Sequence, residues 1–218
     1  MELIRAFTID NKTFYSEESP NIPLRSPFGN LGEKYLFIMY RLNFLNDTVK
    51  ELYDLNDEFI FKKKNFIYND NLHLKIYHRI IRFSMEIKQI MDEMICFYYV
   101  LYFHKLNDSW PNKIKIDCIG KYINTNNTIH FSFLDKYRIL LDNTNNISNA
   151  TKHSFVNSEI IWLENRTSDP LLLAYFQQQN DRKNKVTLHT IKLTDFITEF
   201  NNFLNDFRIS IKNEFTLN

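Results

Sequence analysis

The chain has 218 residues, of which 44% are hydrophobic and 16% aromatic. This content is enough for a sizeable core and excludes wholesale disorder. Its 27 basic and 26 acidic residues leave a formal charge of +1. The chain as a whole therefore has no electrostatic attraction for nucleic acid, and any such binding has to rest on a local patch.

The first third of the chain is predicted to be an arm and a loop followed by a long helix. Glu2–Ile9 is either a short strand or a frayed arm. Ser16–Gly32 is predicted to be a loop, because it holds three of the five prolines and two of the three glycines. A helix is predicted from Glu33 to about Lys62–Lys64. Its apolar residues recur at helical spacing: Ile38, Leu42, Leu45, Val49, Leu52 and Phe59.

The strongest helical pattern in the chain is Leu72–Leu106, which runs 35 residues without a glycine or proline. Asn69–Asn71 is predicted to cap it. The polar face disappears over Met94–Phe103, so we expect that half to be buried on nearly all sides. The apolar stripe is formed by Leu72, Ile76, Ile80, Phe83, Ile87, Ile90, Met94, Phe97 and Leu101.

A third long helix is predicted over Phe133–Phe155, after a stretch that the sequence leaves open. Lys113–Asp117 alternates like a strand, but Asp117 could equally cap a short helix that ends at Ile123. The third helix has an inward stripe of Leu134, Tyr137, Leu140, Leu141, Thr144, Ile147, Thr151 and Phe155.

The pattern changes to strands near the C-terminus. Glu159–Leu163, Leu171–Gln178 and Lys185–Leu193 have the composition of strands, and Asn180–Asn184 is a polar turn between the last two. Thr194 is predicted to cap a final helix. The aromatic stripe of this helix consists of Phe196, Phe200, Phe203, Phe207 and Ile211.

These elements predict a mainly α fold, a helical bundle with long central helices and a small C-terminal β-hairpin or short antiparallel sheet. We expect a single helical domain over residues 1–218, with the hairpin at 158–193 inserted before the last helix.

The remaining composition predicts a cytoplasmic protein that holds no metal or cofactor. Met1–Asp10 does not have the apolar run of a signal peptide, and Met94–Phe103 is about half the length that a membrane span requires. Cys96 and Cys118 do not have the spacing of metal ligands.

The end of the third helix contains the most suggestive polar residues. Asn149, Lys152 and His153 share its last turns, and Arg138 lies near its beginning. A lysine and a histidine beside amide side chains can bind a phosphate, and a neutral histidine can deprotonate a ribose hydroxyl while a cation stabilises the phosphorane. The alternative is structural, because Lys and His in a last turn also complement the helix dipole.

A long central helix followed by a helix with an Asn-rich Lys-His end resembles the HEPN-like helical domains of bacteria. The resemblance covers roughly Glu33–Phe155. It implies a helical bundle, often a homodimer, of the kind found in toxin–antitoxin and phage-defence systems, where many members are metal-independent RNases. On this resemblance His153 would be the catalytic base, and Lys152, Asn149 and Arg138 would contact RNA phosphates.

The chain departs from the catalytic pattern of that family, which is an Arg followed by four to six residues and a His on one helix. Fourteen residues separate Arg138 from His153. Arg182 and His189 have six residues between them, but they lie in a predicted turn and strand.

Two functions therefore stay open. One is a non-catalytic or weakly catalytic HEPN-like component of a defence or toxin-type system that acts on or near RNA. The other is a helical protein–protein interaction module without enzymatic activity. The aromatic content also allows a small-molecule sensor.

Overall fold

The long periodic segments of the sequence form helices in the computed structural model of the chain. The structure describes residues 1–6, 20–23, 25–64, 70–124, 131–153, 168–177 and 180–215. The backbone groups into two compact units. The first unit consists of Met1–Leu3, Leu45–Lys88 and Ile139–Glu199, and the second of Ile4–Phe44, Gln89–Arg138 and Phe200–Asn218.

The described residues contain six helices and two small antiparallel sheets. This confirms the predicted mainly α class. The helices are α1 (Leu31–Lys64), α2 (Asp70–Asn107), α3 (Ile119–Asn124), α4 (Ser132–Lys136), α5 (Arg138–His153) and α6 (Leu193–Phe215). The strands are β1 (Arg25–Ser26), β2 (Gly29–Asn30), β3 (Leu171–Phe176) and β4 (Thr187–Lys192). β1 pairs with β2, and β3 with β4.

The predicted apolar stripes of α1, α2 and α6 are confirmed, because each residue named for them is at most 8% exposed. The predicted burial of Met94–Phe103 is also largely confirmed, since only Cys96, Tyr102 and Phe103 in that range are half-buried. Burial of such stripes is the main source of stability for helices of this length.

Helix α1 begins inside the segment that was predicted to be a loop. β1 and β2 are joined by a tight turn. Gly29, the first residue of β2, has a φ of 100°, a left-handed conformation that favours glycine. Asn30 then accepts a hydrogen bond from the Glu33 N–H at its Oδ1 atom, over 3.2 Å. This cap starts the helix at Leu31, two residues earlier than predicted.

The predicted single helix over Phe133–Phe155 is wrong, because the structure divides it at Tyr137. The φ and ψ of Tyr137 are −103° and 24°, outside the helical region. The Tyr137 hydroxyl donates to Asp206 Oδ2 over 2.7 Å, and its ring lies 5.4 Å from that of Phe203. The side chain is thus held at the point where α4 ends and α5 begins. Ser154 and Phe155 lie outside the described residues.

The stretch that the sequence left open forms a short helix. Helix α3 follows Lys113–Asp117, for which the structure gives no strand. Asp92 Oδ1 accepts the Ile119 N–H over 2.7 Å, and Cys118 Sγ accepts the Lys121 N–H over 3.4 Å. Both bonds satisfy backbone donors that the first turn of a helix leaves unpaired.

The two described C-terminal strands are shorter than predicted but have the expected pairing. Leu171 lies opposite Lys192, and Phe176 lies opposite Thr187. The predicted strand Glu159–Leu163 lies outside the described residues, so the proposed insertion at 158–193 is described only over 168–177 and 180–193. The single domain over 1–218 stays a prediction.

Aromatic rings and buried hydroxyls fill the core of the second unit. The Tyr98 ring lies 5.0 Å from Phe131 and 5.1 Å from Phe215, and its hydroxyl donates to Glu214 Oε2 over 2.8 Å. Burial raises the pKa of Tyr98, and the Glu214 carboxylate adds to this effect. The hydroxyl therefore stays protonated and keeps donating to its carboxylate.

Asp206 links α6 to α4 within the second unit, because Lys136 Nζ and the Tyr137 hydroxyl each donate to its Oδ2 over 2.7 Å. These hydrogen bonds hold the pKa of the Asp206 carboxyl below its usual range.

We expect Asp206→Asn to lower the free energy of unfolding by about 1 kcal/mol near pH 7, where wild-type Asp206 is ionised, because solvent screens the pair with the exposed Lys136. A lowered carboxyl pKa stabilises the fold above the unfolded-state pKa, and this gain is lost as the pH falls through the folded-state pKa. Chemical denaturation of both proteins from pH 7 to pH 2 should show the difference shrinking below about pH 4. A difference that is constant over this range would contradict the role of the charge.

Candidate functional site

The predicted site residues Asn149, Lys152 and His153 lie in the last two turns of α5. This helix forms because Leu140, Leu141, Ile147 and Ala150 are buried on one side of it. Lys152 and His153 are exposed, and both follow the pattern of cations in a last turn. Asn149 is half-buried, and its Nδ2 donates to Asn145 Oδ1 over 3.2 Å. The three side chains therefore share one end of one helix, as the sequence predicted.

The hairpin of β3 and β4 contacts this helix end through its tip. Asn180 Nδ2 donates to the backbone carbonyl of His153 over 2.8 Å. Asn180 has a φ of 51°, a left-handed conformation that asparagine adopts more readily than most residues. Its own N–H donates to the Gln177 carbonyl over 3.1 Å. A polar residue of the predicted turn thus ties the hairpin tip to the end of α5.

The rest of the tip is also held by hydrogen bonds. Asp181 accepts two N–H groups, from Lys183 at its Oδ1 over 2.9 Å and from Asn184 at its carbonyl over 2.9 Å. Gln177 Nε2 donates to the Asn184 carbonyl over 3.4 Å. These bonds constrain the backbone of residues 181–184, and with it the Cα positions of Arg182 and Lys183.

The tether joins the hairpin tip, which carries Arg182 and Lys183, to the end of α5. Arg182 and Lys183 follow Asn180 by two and three residues, so their Cα atoms lie within about 7 Å and 11 Å of its Cα. Together with Lys185 they are exposed, as are Lys152 and His153. We call Lys152, His153, Arg182, Lys183 and Lys185 the basic cluster. Within the described part of the chain, none of its lysines or Arg182 forms an ion pair.

Arg138 lies at the opposite end of α5 from the other predicted site residues. Its Nη2 donates to the Ile123 carbonyl over 2.9 Å, in the second unit. His153 follows Arg138 by fifteen positions, which corresponds to about 22 Å along a helix axis. One phosphate cannot contact both side chains at that separation.

Arg182 and His189, the pair with the family spacing, lie on the hairpin as predicted. Arg182 is in the exposed tip, whereas His189 is half-buried in β4 with its ring 6.3 Å from that of Phe176. Burial lowers the pKa of His189. This pair is therefore not in the helical context in which catalytic HEPN-like domains carry it.

A second polar cluster, which the sequence did not indicate, fixes the base of the hairpin. Asp169 Oδ1 accepts the Thr194 N–H over 3.3 Å and the Thr194 hydroxyl over 3.0 Å, and the Tyr53 hydroxyl lies 2.5 Å from the Thr194 hydroxyl oxygen and 3.2 Å from Asp169 Oδ1. The Leu193 N–H donates to the Pro170 carbonyl over 2.8 Å. Thr194 was predicted to cap α6, but Asp169 is the residue that accepts hydrogen bonds at the start of this helix. Burial raises the pKa of Tyr53, so its hydroxyl keeps a proton to donate.

No group of three or more His, Cys, Asp or Glu side chains that could hold a metal ion occurs among the residues that the structure describes. Likewise, none of the described helices has an apolar stretch long enough to cross a membrane.

Comparisons with known protein families, with curated proteins and with solved structures found no match for this chain. The candidate site therefore rests on its geometry.

We expect Asn180→Ala to release the hairpin tip without unfolding the protein. Loss of one hydrogen bond worth about 1 kcal/mol, together with the cost of alanine in a left-handed conformation, should raise the open population of the tip at least fivefold. Trypsin should therefore cleave after Arg182 and Lys183 at least fivefold faster, as measured by mass spectrometry of timed digests. The control is Asn146→Ala, which changes an exposed asparagine of α5. Equal cleavage rates in both variants would show that the tether does not hold the tip.

Proposed function

We propose that this chain binds RNA through the phosphate backbone, at the basic cluster, and that it does so without efficient catalysis. The observation that carries this proposal is the 2.8 Å bond from Asn180 to the His153 carbonyl, which joins the hairpin tip that carries Arg182 and Lys183 to the helix end that carries Lys152 and His153. Exposed, unpaired lysine and arginine side chains are the groups that bind phosphates and release counterions.

The distribution of charge supports a local site. Lys152 and the segment 180–185 contain four of the basic residues and one acidic residue, Asp181, so they carry a formal charge of +3. The whole chain carries only +1. Excess positive charge is therefore concentrated at this end of the first unit, as in proteins that bind a polyanion with a patch.

The exposure of the cluster favours binding over cleavage. Electrostatic stabilisation of a phosphorane is strongest where water is excluded and the charges are preorganised. Lys152, His153 and Arg182 are all exposed, which suits phosphate contacts but weakens each of them through solvent screening. A role in a bacterial defence or toxin-type system, in the cytoplasm, is the part of this proposal that rests on the HEPN-like resemblance alone.

A second candidate function is a protein interaction module, and one observation favours it. Phe37 and Phe44 are 60% and 67% exposed and lie seven residues apart on α1, so they share one face of the helix. Exposed aromatic side chains of this kind are common at protein interfaces. Such a module would pair with a second copy, as HEPN-like domains do, or bind another protein.

The charge dependence of RNA binding tests the first candidate. Four permanent cations in the cluster predict a slope of about −3 for log K against log salt concentration with single-stranded RNA. We expect Lys152→Glu with Arg182→Glu to reduce this slope by about half and to weaken binding by at least tenfold, as measured by fluorescence anisotropy. The matched control is Lys113→Glu with Lys115→Glu, two exposed lysines outside the cluster. Equal losses in both double variants would refute a site at the cluster.

His153→Ala tests the absence of efficient catalysis. We expect wild-type protein to leave RNA intact in the presence of a chelator, and the variant to bind RNA within about threefold of wild type, because one exposed imidazole adds little. Its melting temperature should barely change, since the Asn180 tether uses the carbonyl and not the ring. The opposing result is cleavage by wild type that falls by two to four orders of magnitude in the folded variant, which would make His153 a general base.

A further inference from the structure

Residues 4–6, which we call the arm, lie against the last helix in a part of the molecule that the proposed function does not use. Ile4 and Ala6 are 3% and 1% exposed, whereas Arg5 between them is exposed. Alternate burial of this kind is typical of an extended segment with one face against the protein. The arm and the part of α6 that it contacts both belong to the second unit.

Two side chains of α6 bind the backbone of the arm. Asn201 Oδ1 accepts the Arg5 N–H over 2.8 Å. Arg208 Nη2 donates to the Arg5 carbonyl over 3.0 Å and also to the Ala6 carbonyl. Asn201 and Arg208 are seven positions apart, so they lie on the same face of the helix. Bonds to main-chain groups, together with burial of alternate side chains, are the means by which proteins recognise an extended peptide.

The arm satisfies the guanidinium of Arg208 only in part. Besides the two carbonyls, Arg208 Nη2 has the Met39 Sδ as an acceptor at 3.8 Å, but the buried Nε atom has no hydrogen-bond partner. Arg208 also forms no ion pair with any residue that the structure describes. A buried donor without an acceptor is costly, and more so when it belongs to a charged group. The surface is therefore complementary to an acceptor that the arm does not supply.

A carboxylate is the acceptor that fits this guanidinium. The Nε–H group and one Nη2–H group are parallel on one edge of the guanidinium plane, and such an edge binds both oxygens of a carboxylate. An internal residue such as Ala6 offers one carbonyl oxygen. A chain that ends at this position offers two oxygens and the negative charge that Arg208 lacks.

We infer that this face of α6 binds the carboxyl-terminal end of an extended peptide, and that the arm covers the same surface when no peptide is bound. The fit of Ala6 and Ile4 specifies a small last residue and an aliphatic residue two positions before it. The exposure of Arg5 leaves the residue between them unrestricted. This inference does not depend on RNA binding, because the basic cluster belongs to the first unit.

The experiment uses the full chain with Ile4→Asp and Ala6→Asp, which we call the open variant, because carboxylates at two buried positions exclude the arm from the surface. The probe is a fluorescein-labelled peptide with the sequence of residues 2–6 and a free carboxyl terminus, and its control is the same peptide with a terminal amide. We expect the carboxylate probe to bind at least tenfold more tightly, as measured by fluorescence anisotropy, since hydrogen bonds to an ionised group are stronger. Equal affinities, or no binding by the folded open variant, would overturn the inference.

Arg208→Lys in the open variant tests the guanidinium itself. Lysine keeps the charge but cannot form two parallel hydrogen bonds, so the preference for the carboxylate probe should fall to about threefold or less. The matched control is Lys212→Gln, which removes an exposed cation one turn further along α6 and should leave the preference unchanged. A preference that survives Arg208→Lys would place the probe elsewhere on the protein and contradict the inference.

Wild-type protein provides a measurement that does not need the open variant, and it decides alone if circular dichroism shows that variant to be unfolded. The arm competes at an effective concentration of about millimolar, so the carboxylate probe should bind at least tenfold more weakly than to the open variant. At saturating probe, hydrogen exchange of the segment that contains Arg5, measured by mass spectrometry, should accelerate because Asn201 no longer accepts its N–H. Unchanged exchange with the probe bound would show that arm and probe use separate sites, and the inference would fail.

Discussion

The hydrogen bonds accepted by Asp169 are the constraint on which the candidate site depends. A two-stranded hairpin has little stability of its own in water, so it has to be fixed by the structure around it. Asp169 lies just before β3, and Thr194 lies just after β4. Their contact closes the base of the hairpin, satisfies donors at the start of α6 and engages the Tyr53 hydroxyl of α1. The two strands are thus held together where they leave the helical part of the unit, and the tip extends from a fixed base.

The two strands of this hairpin have different roles. In β3 the side chains of Leu172, Leu173 and Ala174 are buried, so this strand gains stability from apolar burial. In β4, by contrast, four of the six residues are exposed. One strand therefore anchors the hairpin, and the other presents side chains to solvent. A strand with this exposure is held by its pairing with β3 and by the contacts at the base and the tip.

Most of the fold was predictable because burial of one helix face imposes a period of about 3.6 residues on the sequence. The stripes of α1, α2 and α6 follow this rule closely. The break at Tyr137 was not predictable, since apolar residues continue in phase across it and the hydroxyl is held by Asp206, 69 residues away. The cap at Asn30 was missed for a different reason, because two glycines and three prolines nearby indicated a loop.

Only part of the candidate site was predictable. Asn149, Lys152 and His153 are close in sequence, and one helix brings them together. The contribution of Arg182 and Lys183 depends on the bond from Asn180 to a backbone carbonyl 27 residues earlier, for which a sequence has no periodic signal. The concentration of basic residues in the predicted turn Asn180–Asn184 was the one clue available. Arg138 was included because it lies on the same predicted helix, and the length of that helix separates it from the others.

The hydrogen bond that Asn180 donates to the backbone carbonyl of residue 153 is compatible with any residue at that position, because every amino acid supplies a backbone carbonyl. The side chain at 153 can therefore change during evolution, from histidine to a cation or to a neutral residue, while the hairpin keeps its place. Asn180 does not have this freedom, since it provides both the donating amide and the left-handed backbone. Asn180 thus maintains the position of the hairpin, whereas the side chain at position 153 sets the chemistry of the helix end. Descendants of one scaffold could gain or lose reactivity at this helix end by a single substitution.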